Sequence, residues 1–559
     1  MSEYESGKSS VRLKIAANIN PAYLLFCLVP SLLLGIVRLP ETFTGDQAMF
    51  VVYAERLLNG AMLYADIWDV KQPGIFYFYL TGGALFGFTE YGIHLFELLY
   101  WLLFSVVSVY LLRDHFSNIW LVYFVPTFTV GYYYLTVGSL QMTQVESLAN
   151  FPVALSFLLI PKLAISSRPL RWYAICLVSG LSIAAAIALK FAFLPLVTAL
   201  STIAIVLVCM QHPDFSRRKA IAALVGIWSV TGVSLFLITF WVYRLGIFDQ
   251  LYYTTFVYPR EAVSLHGGGQ RLSVLSNSLV WFTLTFFPLL MLILAGSVYR
   301  FFTSARTELA IRSFRDNVRS KQIVIAACMA VWLFVGLLVI LIQSTSWWSY
   351  HFMLLLMPIG LLALGAIDRF LGSCEMLNRR SVLCQFTIVA IFFFTIASMF
   401  NIFTVREIKR LYRDRDLGYA NGPAGPHGDN WDMYQQVLDE SRTVGFHNVR
   451  NRSMFVCSDP LYYYLNRQTP AISTNGWMPE FFVGQQWRIL EEEISASKPG
   501  ILIVDSDCEW LISKNSVRLR QEIDSEYEVI MTTAKTTWWK RIDDGASNEP
   551  SREMTDVLP

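Results

Sequence analysis

Apolar runs long enough to cross a bilayer recur along most of this chain and constrain its fold more than any other feature. A spanning helix needs about 20 mostly apolar residues, because the hydrocarbon core is roughly 30 Å thick. Such runs lie at 20–38, 92–112, 119–138, 147–165, 172–189, 191–210, 220–243, 279–300, 322–343, 350–367 and 383–403. They predict an α-helical polytopic membrane protein with about eleven spans. Only 15% of the 559 residues are charged, against about 25% in ordinary soluble domains. Lys8, Arg12 and Lys14 precede the first run. Pro21 to Val37 lacks a convincing small-residue cleavage site, so it reads as a retained anchor rather than a removed signal.

Orientation follows from where the cations fall. With the amino terminus in the cytoplasm, loops on that side hold Arg113, the Lys162/Arg168/Arg171 cluster, Arg217 to Lys219, the run from Arg300 to Lys321, and Arg369 with Arg379 and Arg380. The opposite face receives the loop 39–91, the loop 244–278 and everything after about residue 404. The junction at Lys190 matters most here. One kinked helix in place of two spans would reverse everything downstream and put the later basic loops outside, so two spans are kept. The expected domains are a cytoplasmic segment 1–19, a transmembrane domain 20–403 and an external region 404–559. A net charge of +2 makes no case for nucleic acid, and none is expected as a partner.

Polarity concentrates in the first external loop, where Glu41 to Pro73 reads ETFTGDQAMFVVYAERLLNGAMLYADIWDVKQP. Within it, Met49, Val52, Tyr53 and Leu57 share one helical face, which suits an amphipathic helix lying along the membrane surface. Pro73 and Gly74 break the chain, and Ile75 to Phe88 is apolar but short, as in an interfacial or re-entrant piece. Asp46, Asp66, Asp69 and Lys71 would lie nearby. Taken alone, these are ordinary solvated loop charges. They would also suit sugar transfer, in which a carboxylate takes the proton of an attacking hydroxyl and cations stabilise a departing phosphate.

The loop resembles the first external loop of the GT-C superfamily of membrane glycosyltransferases. The likeness is to the protein-mannosyltransferase and aminoarabinose-transferase type (glycosyltransferase family 39). Its residues here are Asp46, then Tyr53, Ala54, Gly60, Tyr64, Asp66, Trp68, Asp69, Lys71, Pro73 and Gly74. The resemblance implies a GT-C fold and a glycosyltransferase that uses a polyprenyl-phosphate-linked sugar. Asp46 would be the catalytic or acceptor-activating carboxylate, with Asp69 and Lys71 beside the lipid phosphate. The implied partners are that donor, an acceptor glycan, lipid or protein, and membrane lipids. The implied location is a bacterial inner membrane with a periplasmic carboxyl-terminal domain. One departure stands out: many members carry a second acidic residue after the first, where this chain has Gln47. A divalent metal is neither required nor excluded.

Two further segments agree with the resemblance. QMTQVESLANFP at 141–152 places Glu146 at an acidic position of the second external loop, where a charge at a span's end suggests either function or interfacial exposure. WWSYHFMLLLMPIGLLALG at 347–365 resembles a Tyr-His segment, so Tyr350 and His351 would face the external cavity, or His351 would simply start the helix. Lys190 can snorkel to water or bind phosphate. Arg260 could clamp a phosphate, beside a lid made mobile by Gly267, Gly268 and Gly269. That glycine run lacks the context of a nucleotide-binding loop.

Spans stop near residue 404, and NGPAGPHGDN at 421–430 reads as a linker. Beyond it, Trp431 to Thr443 predicts a helix, and Ser453 to Cys457 and Ile501 to Asp505 predict buried parallel strands with a helix around Phe481 to Ala496 between them. Strands near Tyr527 to Met531 and Thr536 to Arg541 would complete a small α/β layer, with Asp459 at a strand's carboxyl end. Cys457 and Cys508 could pair in an oxidising compartment, and Asn451 heads a glycosylation sequon that matters only in a eukaryotic source. The rival readings are a multi-span transporter, a flippase of lipid-linked sugars, or a non-catalytic GT-C relative. Transporters usually show internal repeats and interrupted mid-membrane helices, and no convincing repeat is present here.

Overall fold

The computed structural model describes residues 19–166, 168–266, 271–307, 316–343, 347–376, 429–446 and 453–542. The expected span 383–403, the glycine run 267–269, most of the linker, the sequon at Asn451 and the basic pair 379–380 lie outside them. The described residues form two units: 1–65 with 69–436, and 66–68 with 437–559.

The first unit is helical. Among the described residues, eight helices are long and apolar enough to cross a membrane: Glu90–Leu112, Val145–Ala164, Pro169–Leu189, Phe191–Gln211, Arg217–Arg244, Leu272–Val298, Ile323–Ile342 and Ser349–Leu371. The chain is an integral membrane protein. The first apolar helix, Pro21–Val37, has 17 residues and therefore reaches about 25 Å at 1.5 Å per residue.

The expected span 119–138 is helical but irregular: 3₁₀ geometry at Ile119–Phe124, a wide π turn at Thr127–Gly131 and an α turn at Tyr132–Thr136 follow one another with right-handed helical backbone at Val125, Pro126, Gly131 and Tyr132. Pro126 has no amide proton to continue an α ladder. Its carbonyl accepts a hydrogen bond from the Ser31 hydroxyl at 3.2 Å. At Lys190 the backbone is extended (φ −159°, ψ 118°), which separates two helices where one kinked helix was the alternative.

The second unit carries a four-stranded sheet of order β1-β2-β4-β3, with β1 Met454–Cys457, β2 Ile501–Asp505, β3 Tyr527–Thr532 and β4 Thr536–Arg541. β1 and β2 are parallel, and β4 runs antiparallel to both β2 and β3. The inward side chains of β1 and β2 pack with Leu490 and Ile494 of the helix Gly484–Ser497 and with Ile512, Leu519 and Ile523 from two later helices. Cys457 and Cys508 are joined by a disulfide. Buried Glu440 takes hydrogen bonds from Tyr462, Thr536 and Trp538, all at Oε2.

Candidate active site

Asp46 opens a helix. Gly45–Leu58 begins after Thr44, so Asp46 is the second helical residue, where the helix dipole favours an anion. The helix forms as expected, but it does not lie with one face outward: Gly45 to Ala54 are buried all round. Gln47 explains itself here. Its Oε1 accepts from the Thr44 amide at 2.7 Å, and its Nε2 donates to the Met142 carbonyl at 2.7 Å. The residue that replaces a second acid thus caps one loop's helix and ties it to the next loop.

Lys71 reaches the same place from the other end of the first loop. Its Nζ lies 3.7 Å from Asp46 Oδ2 and 5.3 Å from the centre of the Phe50 ring. Asp69 Oδ1 accepts the Lys71 amide at 2.8 Å, and the Tyr64 hydroxyl donates to the Lys71 carbonyl at 2.8 Å. Gly74 then allows a close approach, since a Cβ there would meet the Ala188 carbonyl oxygen at 2.7 Å. The loop is thereby seated against the chain just before Lys190.

Burial pulls the Lys71 ammonium toward neutrality, but the carboxylates of Asp46, Asp69 and Glu146 outweigh it and hold its pKa above the ordinary value. Asp69 goes the other way. Burial raises its pKa, and Asp46 adds to the rise, more than Lys71 lowers it. Three carboxylates act on one cation, so the cation gains what each carboxylate only partly recovers.

Glu146 is the second residue of the helix Val145–Leu158 and is almost fully buried. Its Oε1 lies 2.6 Å from Lys190 Nζ and 3.5 Å from His351 Nε2. Lys190 therefore belongs to the site rather than snorkelling alone. The only signal available in the sequence was a single Lys between two apolar runs. Tyr350 directs its hydroxyl to the Asp46 carboxylate, and its ring meets His351 edge-on at 4.6 Å. Asn150 fastens this segment to the Glu146 helix: its Nδ2 donates to the Met353 carbonyl at 2.9 Å, and its Oδ1 accepts the Met357 amide at 3.1 Å.

Of the expected site residues, Asp46, Asp69, Lys71, Glu146, Tyr350 and His351 come together. Arg260 does not join them; it lies exposed on the helix Tyr258–His266. Among the described residues, no three His, Cys, Asp or Glu side chains converge as metal ligands. The cluster pairs two buried carboxylates with two lysines and adds a His and a Tyr. Such a set can accept a proton at one end and bind an anion at the other.

No family model matches the sequence, and no curated protein matches it either. Among solved structures, the chain is similar to ArnT from Cupriavidus metallidurans in the apo state, with a TM-score of 0.50 and 14% identity over 93% of this chain and 98% of that one. The likeness is one of fold. In this fold, the loops that follow Pro21–Val37 and precede Val145–Leu158 each deliver a carboxylate on the first turn of a helix.

Proposed function

We propose that the protein is a glycosyltransferase that moves a sugar from a polyprenyl-phosphate donor to an acceptor glycan, lipid or protein at the external face of the membrane. The observation that carries this reading is the pairing of Lys71 with Asp46 at 3.7 Å, beside the second pair Lys190 and Glu146 at 2.6 Å. In the reaction, an acceptor hydroxyl oxygen bonds to the anomeric carbon while the carbon–oxygen bond to phosphate breaks. Asp46 takes the hydroxyl proton. Lys71 and Lys190 turn from their carboxylates to the phosphate as its charge grows, with Asp69 holding the Lys71 backbone and Tyr350 and His351 lining the donor side. Arg260, on the helix Tyr258–His266, would close on the phosphate from the 244–278 loop.

The location fits a bacterial inner membrane with the amino terminus in the cytoplasm. Basic clusters between spans favour that orientation, and the Cys457–Cys508 disulfide suits an oxidising periplasm around the second unit. A vesicle assay tests the reading. Purified protein in liposomes with a labelled polyprenyl-phosphate sugar and candidate acceptors should release free polyprenyl phosphate. Solute or lipid movement across the bilayer without bond cleavage would favour a transporter or flippase instead.

A further inference from the structure

Glu97 is a buried carboxylate within the apolar helix Glu90–Leu112, and nothing in the proposed chemistry uses it. An ionisable group in a spanning helix is costly, so it calls for a role and a partner. The partners that Glu97 finds are neutral donors. Its Oε1 collects three donors: the Tyr133 hydroxyl at 2.5 Å, the Thr143 amide at 2.9 Å and the Trp101 indole at 3.4 Å. Its Oε2 has no hydrogen-bond partner among the described residues.

Thr143 is the informative partner. Its φ is +50°, a left-handed conformation unfavourable for a β-branched residue unless its surroundings impose it. Those surroundings are specific. Glu97 and Tyr133 both accept the Thr143 amide, Tyr79 donates to the Thr143 carbonyl at 3.3 Å, and Gln47 donates to the preceding carbonyl of Met142 at 2.7 Å. Three residues after this turn stands Glu146, and Gln47 is the neighbour of Asp46.

We propose that Glu97 is a positioning residue: through Oε1 it holds the left-handed Thr143 turn and so sets Glu146 against Lys190 and against the Asp46 helix. Its bearing on catalysis rests on the glycosyltransferase reading; its hold on the turn does not. Two substitutions in the full-length protein separate the acceptor from the charge. Glu97→Gln keeps an oxygen where Oε1 lies, whereas Glu97→Leu removes it at similar volume.

Hydrogen exchange over 141–146 and steady-state transfer are measured for both. E97L should exchange faster at these amides and lose kcat on the order of a hundredfold, with KM for the donor changed far less. E97Q should restore slow exchange and most of the rate. If E97L is not recovered folded, Tyr133→Phe removes the hydroxyl shared by Glu97 and Thr143 and should shift both readouts the same way. Unchanged exchange in E97L, or in Y133F where it stands in, would overturn the inference, as would E97Q being as impaired as E97L. If wild-type protein transfers no sugar, the functional reading fails, and the exchange result still judges the hold of Glu97 on the turn.

Discussion

Asp46 and Glu146 occupy the same place in two different helices, each being the second residue after the cap. Each is met there by a lysine from elsewhere in the chain, Lys71 and Lys190 respectively. Helix amides and a cation together offset part of the cost of burying a carboxylate. In the proposed reaction these become its two ends, a proton acceptor at Asp46 and a cation-rich phosphate end between the lysines.

Restoring the missing acid should harm the protein rather than improve it. Gln47→Glu keeps the cap on Thr44 but sets a carboxylate oxygen where Nε2 now donates to Met142 at 2.7 Å. Leaving that carbonyl without its donor should cost about 1–3 kcal/mol. A lower thermal midpoint for Q47E, with no gain in transfer, is the expected result.

Breaking the Lys190–Glu146 pair should be worse than removing it. Glu146 has 2% of its side chain exposed, so Lys190→Met leaves a buried carboxylate without its lysine at 2.6 Å and should cost about 3 kcal/mol. The double variant K190M/E146Q should unfold at a higher temperature than K190M alone. Thermal unfolding in one detergent compares the three proteins.

Asp69 carries a pH prediction. Burial, with Asp46 adding to it, raises its folded pKa above the unfolded value, so the folded state holds the proton more tightly. Its contribution is fully present below the unfolded pKa and is lost as pH rises through the folded one. Asp69→Asn should therefore stabilise the protein at neutral pH, and the gain should shrink on acidification. Unfolding midpoints of D69N and wild type from pH 7 to pH 4 test this, and transfer should fall in D69N even as stability rises.

The Cys457–Cys508 bond closes a separation of 51 residues, for which chain entropy alone gives about 4 kcal/mol. Cys457→Ser with Cys508→Ser should lower the unfolding midpoint of the second unit by a corresponding amount. Thiol labelling of unreduced wild-type protein should leave both cysteines unmodified.

Much of this was legible in the sequence because the signals are local. Apolar runs reveal helices such as Pro169–Leu189, and short β-rich runs reveal β1 through β4, whose bounds fall within a residue or two of those expected. Hydropathy cannot see that 119–138 passes from 3₁₀ to π to α geometry, because each winding is equally apolar. The helix Gly45–Leu58 reads as one-sided, yet tertiary packing surrounds its first ten residues. Resemblance supplied Asp46, Asp69, Lys71 and Glu146. Lys190 kept two readings, snorkelling or phosphate binding, and Glu97 escaped, because their partners, Glu146 and Thr143, lie more than 40 residues away along the chain. A lone charge in an apolar run was the only local hint for either.

The rate of sugar transfer by Asp46→Asn tests most directly the proposal that Asp46 takes the proton of the acceptor. With one polyprenyl-phosphate sugar, one acceptor and matched amounts of folded protein, kcat should fall by about 10²–10⁴-fold. Release of polyprenyl phosphate by D46N at a rate within about threefold of wild type, far inside the loss expected for a general base, would contradict the account.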